Sequence, residues 1–184
     1  MLEVRALAIP DVKLIVAKRH GDARGYFVES WNRKVFREAG IDVDFCQDNQ
    51  ARSSQKNIVR GLHFQTPPHA QTKLVSVLEG RIFDVVVDIR KSSASFGRHL
   101  AVELSAEGGE MLLVPKGFAH GYATLTADTT VFYKVDAHYA PANDAGILWS
   151  DPALNIAWPV SAHDAILSAK DPKLPALSAI TSPF

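Results

Sequence analysis

The stretch TKLVSVLEGRIFDVVVD, residues 72–88, contains two short apolar runs that meet at Glu79-Gly80. Val, Ile and Phe dominate both runs, and these residue types favour β-strands. A glycine beside a polar residue between such runs is typical of a tight turn. We therefore predict one strand from Thr72 to Leu78, a turn, and a second strand from Arg81 to Asp88.

Similar apolar runs extend in both directions from these two strands, and turn residues separate them. The further predicted strands are Val12 to Ala17, Tyr26 to Ser30, Val43 to Ala51, Ile58 to Gln65, Arg98 to Leu104, Met111 to Val114, Gly121 to Leu125 and Thr129 to His138. HGDARG, residues 20–25, is predicted to be a turn, and a helix capped by Ser30 or Asn32 is predicted to end just before Gly40. Many short strands without intervening helices favour a sandwich or barrel.

We expect residues 1–184 to form a single domain. Its barrel core is expected at about residues 43–140, with the N-terminal strands and a proline-rich loop and helix segment after Pro141 wrapping it. Strand alternation places Lys73 on one face with Val75 and Val77, and an ionisable residue on such a face is costly unless it is paired or used.

Composition narrows the class of protein. Lys+Arg and Asp+Glu number 20 each, so no overall charge attracts the chain to nucleic acid or to an anionic membrane. The single cysteine, Cys46, excludes an internal disulfide framework, fits a reducing compartment, and is interpreted as a small buried hydrophobe. The sequence shows neither signal-peptide features nor an apolar run of membrane-spanning length, so we expect a cytoplasmic protein.

The stretch NIVRGLHFQTPPHAQTK, residues 57–73, is the most informative for function. It combines His63, which can act as a base, with two cations, Arg60 and Lys73. This combination suits an anionic substrate that reacts through an enolate. A regular strand would direct Arg60 and His63 to opposite faces, so both can line one cavity only if Gly61 marks a bulge or the strand ends there.

Several motifs carry a family resemblance. VRGLHFQ, PPHAQTKLV and VPKGFAHGY resemble the cupin superfamily, in which double-stranded β-helices of jelly-roll type hold a site inside the barrel. A longer ordered set is similar to the dTDP-4-dehydrorhamnose 3,5-epimerase family between Asp22 and Asp171: DARGYFVES, FCQDNQARS, VRGLHFQ, QTKLVSVLEGRIFDVVVDIRKSSASFG, VPKGFAHGY, VFYKV, ILWSDPALNIAWP and LSAKD. The resemblance implies an all-β, cupin-like jelly-roll barrel with a few short peripheral helices.

The resemblance also implies an activity. Members of this family invert C3 and C5 of dTDP-4-dehydro-6-deoxy-D-glucose, on either side of the C4 ketone, and produce dTDP-4-dehydro-L-rhamnose. They use no metal or organic cofactor. They are homodimers in which the N-terminal region of one subunit contributes to the partner.

Four positions match the family's catalytic residues. His63 is implied to be the base, and Asp171 of LSAKD is implied to orient it. Tyr133 of VFYKV is implied to be the proton donor, and Lys73 suits stabilisation of the enolate and contact with the substrate. Without the resemblance, a packed barrel tyrosine would be the simpler interpretation of Tyr133.

Further positions match substrate ligands. Arg24, Arg60 and Lys170 suit the diphosphate, which guanidinium and ammonium groups can hold. Phe27, Glu29, Gln47 and Asn49 align with the nucleotide site, and His120 suits the sugar or its ketone. Tyr139 is a candidate wall for the thymine or the sugar. Asp144 stands where many family members carry Glu, which shortens its reach.

Three alternatives remain open at this stage. One is a relative that epimerises only C3 or only C5 and could share His63 and Tyr133, or a 3,4-ketoisomerase, whose pattern differs around RGLH. Another is a non-catalytic sugar-binding cupin, which would not need Lys73, His63 and Tyr133 together. A metal-dependent cupin is disfavoured because Gln65 stands where a second histidine would complete a His-x-His pair.

Overall fold

The computed structural model describes residues 2–184, and most of its regular structure is antiparallel β-strand. The strands are β1 (Leu2–Ala6), β2 (Lys13–Ala17), β3 (Arg19–Asp22), β4 (Gly25–Val28), β5 (Gln47–Ser53), β6 (Val59–Gln65), β7 (Lys73–Glu79), β8 (Arg81–Asp88), β9 (His99–Ser105), β10 (Glu110–Val114), β11 (Phe118–Thr124), β12 (Thr129–Val135) and β13 (Asp144–Gly146). The helix α1 (Arg33–Glu38) precedes β5, and short 3-10 turns lie at Pro141–Asn143, Asp171–Lys173 and Leu177–Ala179.

The strands form two large sheets and one separate hairpin. The six-stranded sheet has the order β1-β2-β10-β7-β12-β5, and the five-stranded sheet has the order β13-β6-β11-β8-β9. The hairpin consists of β3 and β4. The fold is therefore the expected cupin-like jelly roll.

The turn at Gly80 carries the chain from one large sheet to the other. β7 lies in the six-stranded sheet and β8 in the five-stranded sheet, although Gly80 alone separates them in sequence. Gly80 has φ +77°, and a Cβ there would lie 2.5 Å from the hydroxyl oxygens of Thr126 and Thr129. Only glycine therefore fits this corner without strain.

The space between the large sheets is filled by the inward faces that alternation predicts. Val75 of β7 and Val131 of β12 are buried, as are Ile82 and Val86 of β8 on the facing sheet. Burial of one such side chain stabilises the fold by about 1.5–3 kcal/mol. The same alternation directs Lys73 and Tyr133 inward at one end of this core, where both line a cavity.

The N-terminal region contains more strand than the sequence predicts. β1 was not predicted, and β3 replaces part of the expected turn, so that only Ala23 and Arg24 separate β3 from β4. β1 pairs with β2 along its whole length and forms the edge of the six-stranded sheet. Its charged residues alternate with apolar ones, as is common on an edge that faces solvent.

The predicted helix is present but short. The Asn32 side chain caps it by accepting hydrogen bonds from the amides of Lys34, at 3.0 Å, and Val35, at 3.3 Å. Phe36 is its buried residue. Gly40, with φ +81°, follows the helix and ends it in the way expected of a C-terminal glycine.

The segment after β13 returns across the five-stranded sheet. Ile166 forms a parallel bridge with Ile58, and its carbonyl accepts a hydrogen bond of 3.0 Å from the amide of Val59. This contact brings the following residues, including Asp171, to the start of β6. Within residues 2–184, no helix is long and apolar enough to cross a membrane.

Candidate active site

A bulge at Gly61 determines where Arg60 and His63 point. His63 is paired with His120 of β11 and Arg60 with Tyr122, so two residues of β6 lie opposite one residue of β11. Gly61 has φ +116°, and a Cβ there would lie 2.7 Å from the carbonyl oxygen of His120. The bulge that the sequence required is therefore present, and both Arg60 and His63 line one cavity.

This cavity has a volume of about 460 Å³, which suits a small organic ligand. Strands of both large sheets and the C-terminal segment line it. Its polar and ionisable lining residues are Arg60, His63, Lys73, His120, Tyr122, Tyr133, Ser168, Lys170 and Asp171. Three lysine and arginine side chains among them favour an anionic ligand.

His63 and Asp171 form a hydrogen-bonded pair at one wall of the cavity. His63 Nε2 lies 2.8 Å from Asp171 Oδ1, and the Asp171 side chain is only 2% exposed. Burial alone would raise the pKa of Asp171, but hydrogen bonds from His63 and Ser168, the charge of His63 and the amide of Gly61 hold it below its usual value. The carboxylate can therefore orient the imidazole and leave Nδ1 as the nitrogen that accepts a proton.

His120 and Asp84 form a second, more deeply buried pair. His120 Nε2 lies 2.9 Å from each carboxylate oxygen of Asp84, and Asp84 is fully buried on β8. Burial raises the pKa of Asp84, while the charges of His120 and Lys73 oppose that shift. Asp84 was not predicted as a site residue, although an aspartate within the apolar run IFDVVV is the signal that could have identified it.

Lys73 is an ammonium group held in a partly apolar setting. Its Nζ lies 3.5 Å from the carbonyl oxygen of His63, at the long limit of a hydrogen bond. Burial lowers the pKa of Lys73 to about 8, and the charges of Asp144 and Asp84 oppose this shift. At neutral pH most molecules therefore carry a charged Lys73 with little competition from other partners, which suits stabilisation of an oxyanion.

Tyr133 stands on β12, in the sheet opposite the one that carries His63. Burial raises its pKa, and the charge of Arg60 partly offsets this effect. The phenol is therefore protonated at neutral pH and can give up a proton. A base on one sheet and an acid on the other is the arrangement that inversion of a carbon centre requires.

Several predicted substrate ligands form a group beside the cavity. Lys170 Nζ donates to Asp144 Oδ2 at 2.6 Å, and this pair raises the pKa of Lys170. Gln47 Nε2 donates to Asn49 Oδ1 at 2.7 Å, and Gln47 Oε1 accepts a hydrogen bond of 3.0 Å from the amide of Tyr139. Of these five residues, Lys170 lines the cavity itself.

Three predicted ligands lie on or next to the β3–β4 hairpin and do not line this cavity within one chain. Arg24 pairs with Asp22 at 2.5 Å at the hairpin turn, and Phe27 is 70% exposed. Phe27 and Glu29 instead line a separate groove of about 250 Å³ beside α1.

The interpretation of Cys46 as a buried residue was wrong. Cys46 is exposed, with its Sγ 4.0 Å from Nδ1 of His138. It precedes β5 in an extended segment where Val43 and Phe45 face the protein, so alternation turns Cys46 towards solvent. Within residues 2–184, no three His, Cys, Asp or Glu side chains converge as metal ligands.

Known proteins share this sequence and fold. The profile of the dTDP-4-dehydrorhamnose 3,5-epimerase family matches residues 6–179. A protein of that name from Sinorhizobium fredii is 47% identical over 180 residues, which are 98% of this chain and 92% of the relative.

Two crystal structures extend the comparison to ligands. The Bacillus anthracis dTDP-4-dehydrorhamnose 3,5-epimerase, with TDP and PPi bound, has a TM-score of 0.93 and 46% identity, covering 96% of this chain and 99% of that chain. The Legionella pneumophila dTDP-6-deoxy-D-glucose-3,5-epimerase, in complex with dTDP-4-keto-L-rhamnose, has a TM-score of 0.94 and 42% identity, covering 98% of this chain and 95% of that chain. Because the family profile and a relative of 47% identity both match nearly the whole chain, this chain belongs to the dTDP-4-dehydrorhamnose 3,5-epimerase family.

Proposed function

We infer that this chain is an isomerase that inverts C3 and C5 of dTDP-4-dehydro-6-deoxy-D-glucose and releases dTDP-4-dehydro-L-rhamnose. The observation that carries this conclusion is the position of the His63–Asp171 pair and of Tyr133 on opposite sheets around one cavity, with Lys73 beside them. The relatives' names and bound ligands support the same reaction.

The proposed chemistry begins with removal of a proton next to the ketone. His63 takes the proton from C3 or C5, and the bonding electrons move to the C4 oxygen to form an enolate. Lys73 stabilises that oxyanion as an ammonium group. Tyr133 then donates its proton to the opposite face of the same carbon, and the ketone re-forms.

Both catalytic groups must return to their starting protonation states after each inversion. The imidazolium of His63 is stabilised by Asp171, which stays ionised because its pKa is held low. His63 releases the proton it took to solvent, and Tyr133, which becomes a phenolate, recovers one from solvent, so that both groups are reset before the second carbon reacts. His120, which Asp84 anchors, contacts the sugar or its ketone from the same cavity.

We propose that Arg60 and Lys170 bind the diphosphate from within the cavity. Gln47, Asn49, Tyr139 and Asp144 surround the nucleotide or the sugar beside it. No carboxylate of the described residues forms an ion pair with Arg60, whose hydrogen bonds go to Ser53 and to the Arg52 carbonyl, so this guanidinium is open to an anion.

A homodimer would bring the remaining ligands to the site. The β3–β4 hairpin pairs with neither large sheet, and its Tyr26 and Phe27 side chains are exposed. We propose that it supplies Arg24, Phe27 and Glu29 to the cavity of a second copy, where Phe27 stacks on the base and Arg24 binds the diphosphate. We also propose a cytoplasmic location, where the exposed Cys46 would remain reduced.

The test is proton NMR of dTDP-4-dehydro-6-deoxyglucose incubated with the protein in heavy water. We expect deuterium at both C3 and C5 with the wild-type protein and with His69→Ala, and no deuterium with His63→Ala. His69→Ala is the control because His69 is an exposed histidine outside the cavity. Exchange at one carbon only would identify a mono-epimerase. Absence of exchange at both carbons would overturn the proposal.

A further inference from the structure

The hydroxyl of Tyr122 is buried and has no hydrogen-bond partner among the described residues. The side chain lies on β11 and contributes to the lining of the cavity, although the residue is only 5% exposed. A buried phenol without a partner lowers stability, and native proteins rarely keep one without a reason. The proposed chemistry above gives this hydroxyl no role.

Ser53 and Arg60 are two polar neighbours of Tyr122. Tyr122 is paired with Arg60 across β6 and β11, and the buried Ser53 lies close enough to the Tyr122 hydroxyl to lower its pKa, although the two form no hydrogen bond of normal geometry. Ser53 Oγ accepts from Nε and Nη2 of Arg60, each at 3.4 Å, and the Arg52 carbonyl accepts from Nη2 at 3.3 Å. These bonds are long, so the guanidinium is loosely held in the free chain.

The charge of Arg60 also influences the pKa of Tyr133, the proposed proton donor. Burial raises the pKa of Tyr133, and the charge of Arg60 lowers it, whereas Asp144 raises it further. His63 on the opposite sheet and Lys73 on the neighbouring strand β7 line the same cavity as Tyr133. Burial raises the pKa of Tyr122 to about 12 despite Arg60, so Tyr122 remains a neutral phenol that can both donate and accept.

We propose that Tyr122 is a positioning residue for the acid of this reaction, and this proposal rests on the proposed function. In the substrate-bound enzyme, the Tyr122 hydroxyl hydrogen bonds with Ser53, and Ser53 tightens its bond to Arg60. Arg60 is then fixed beside the phenolate that Tyr133 becomes when its proton passes to the enolate carbon. Catalytic hydrogen bonds that are long in a free enzyme commonly shorten in this way.

No proton leaves Tyr122 in this arrangement. Its hydroxyl closes a chain that runs through Ser53 to Arg60, and solvent returns the proton to Tyr133. The Tyr122 hydroxyl therefore gains its hydrogen-bond partner only when substrate is bound. In the free enzyme the unpaired hydroxyl lowers stability, and this cost is retained because the hydroxyl serves the reaction.

The first test is Tyr122→Phe, which changes one atom and keeps the shape of the core. We expect three results together: a higher melting temperature, a kcat about tenfold lower, and a pKa of Tyr133 about one unit higher. The pKa is read from NMR of tyrosine labelled with carbon-13 at Cζ, in saturating dTDP. Ser54→Ala, which removes an exposed hydroxyl outside the cavity, is the control and should change none of them.

Ser53→Ala provides a second variant that interrupts the same series of hydrogen bonds. It should lower kcat to a similar extent, and the double variant should be no slower than either single one, because the two hydroxyls act as a unit. Additive losses would overturn the proposal.

Other outcomes for Tyr122→Phe also overturn it. An unchanged kcat with higher stability would make the hydroxyl an ordinary unpaired core group. Lower stability would show that the Tyr122 hydroxyl already has a hydrogen-bond partner in the free enzyme. A lower kcat with an unchanged Tyr133 pKa would show that Tyr122 does not act through Tyr133. If the wild-type enzyme exchanges neither carbon, the proposed function fails, whereas the melting and pKa measurements still report on the hydroxyl.

Discussion

Replacement of Gly61 with alanine tests the bulge on which the cavity depends. The added Cβ would lie 2.6 Å from Gly121 Cα and 2.7 Å from the His120 carbonyl oxygen. Both contacts are with backbone, which cannot rotate away, and φ at Gly61 is +116°. Backbone strain of this kind costs about 1–3 kcal/mol and overpacking costs about 1–3 kcal/mol more. The expected loss of unfolding free energy is therefore about 2–6 kcal/mol, against about 5–15 kcal/mol for a typical domain.

Urea unfolding of Gly61→Ala beside Gly25→Ala separates the two effects. Gly25 has a similar φ of +126°, but a Cβ there would meet no atom within 4 Å. The control therefore carries the backbone strain alone and should lose about 1–3 kcal/mol. The difference between the two variants measures the collision between β6 and β11.

Turnover gives the second measurement for Gly61→Ala. The collision can be relieved only if β6 moves away from β11, which displaces Arg60 or His63 from the cavity. A displacement of about 1 Å can cost about 100-fold in rate, so we expect a loss of at least about that size in kcat. Equal stability losses at Gly61 and Gly25, together with full turnover, would refute the reasoning.

Three further predictions concern the ionisable groups and the hairpin. Because Lys73 is proposed to act as an ammonium group and burial lowers its pKa to about 8, kcat/KM should fall as the pH rises through about 8. Lys73→Met should remove this limb and lower kcat/KM by about 10²–10³, and a limb that persisted would belong to another group. Asp171→Asn should lower kcat by about 10–100-fold. Since the folded pKa of Asp171 lies below its usual value, its stabilisation is present above its unfolded pKa and is lost as the pH falls through the folded pKa, so the variant should show a weaker acid dependence of unfolding below about pH 4. Mixed, refolded Arg24→Ala and His63→Ala chains should recover activity, because one site of each mixed dimer would be intact, and no recovery would show that the hairpin does not serve a partner.

Strand faces were the most predictable part of this structure. Lys73 and Tyr133 were placed inward by alternation with valines, and both line the cavity. Such predictions succeed because successive side chains of a strand point to opposite faces with different environments, so residue type alternates with a period of two along the sequence. The bulge at Gly61 was also predictable, since a glycine stood between two residues that had to share a face.

Contacts between segments that are distant in sequence were harder to predict from local patterns. Glu79-Gly80 was correctly identified as a turn, but local sequence does not reveal that β7 and β8 belong to different sheets, because that outcome depends on packing across the whole barrel. The contact between His63 and Asp171 spans 108 residues. It was expected from family resemblance, and local patterns at either residue would not have predicted it.

β1 and β3 were missed for a related reason. Both lie outside the apolar interior between the large sheets and carry charged residues, such as Glu3 and Arg5 in β1. Their strand conformation comes mainly from pairing with β2 and β4. Propensity is a weak guide where pairing, not burial, determines the conformation.

The distance in sequence between His63 and Asp171 also has a consequence for synthesis. A ribosome adds about 5–20 residues per second, so it needs about 5–20 s to produce the 108 residues that separate them. Lys73 and Tyr133 are translated within this interval, whereas Asp171, the carboxylate that is proposed to orient the base, is translated last. A chain that terminates before Asp171 would therefore lack the carboxylate that is proposed to orient the base, and activity is expected only after Asp171 has been translated.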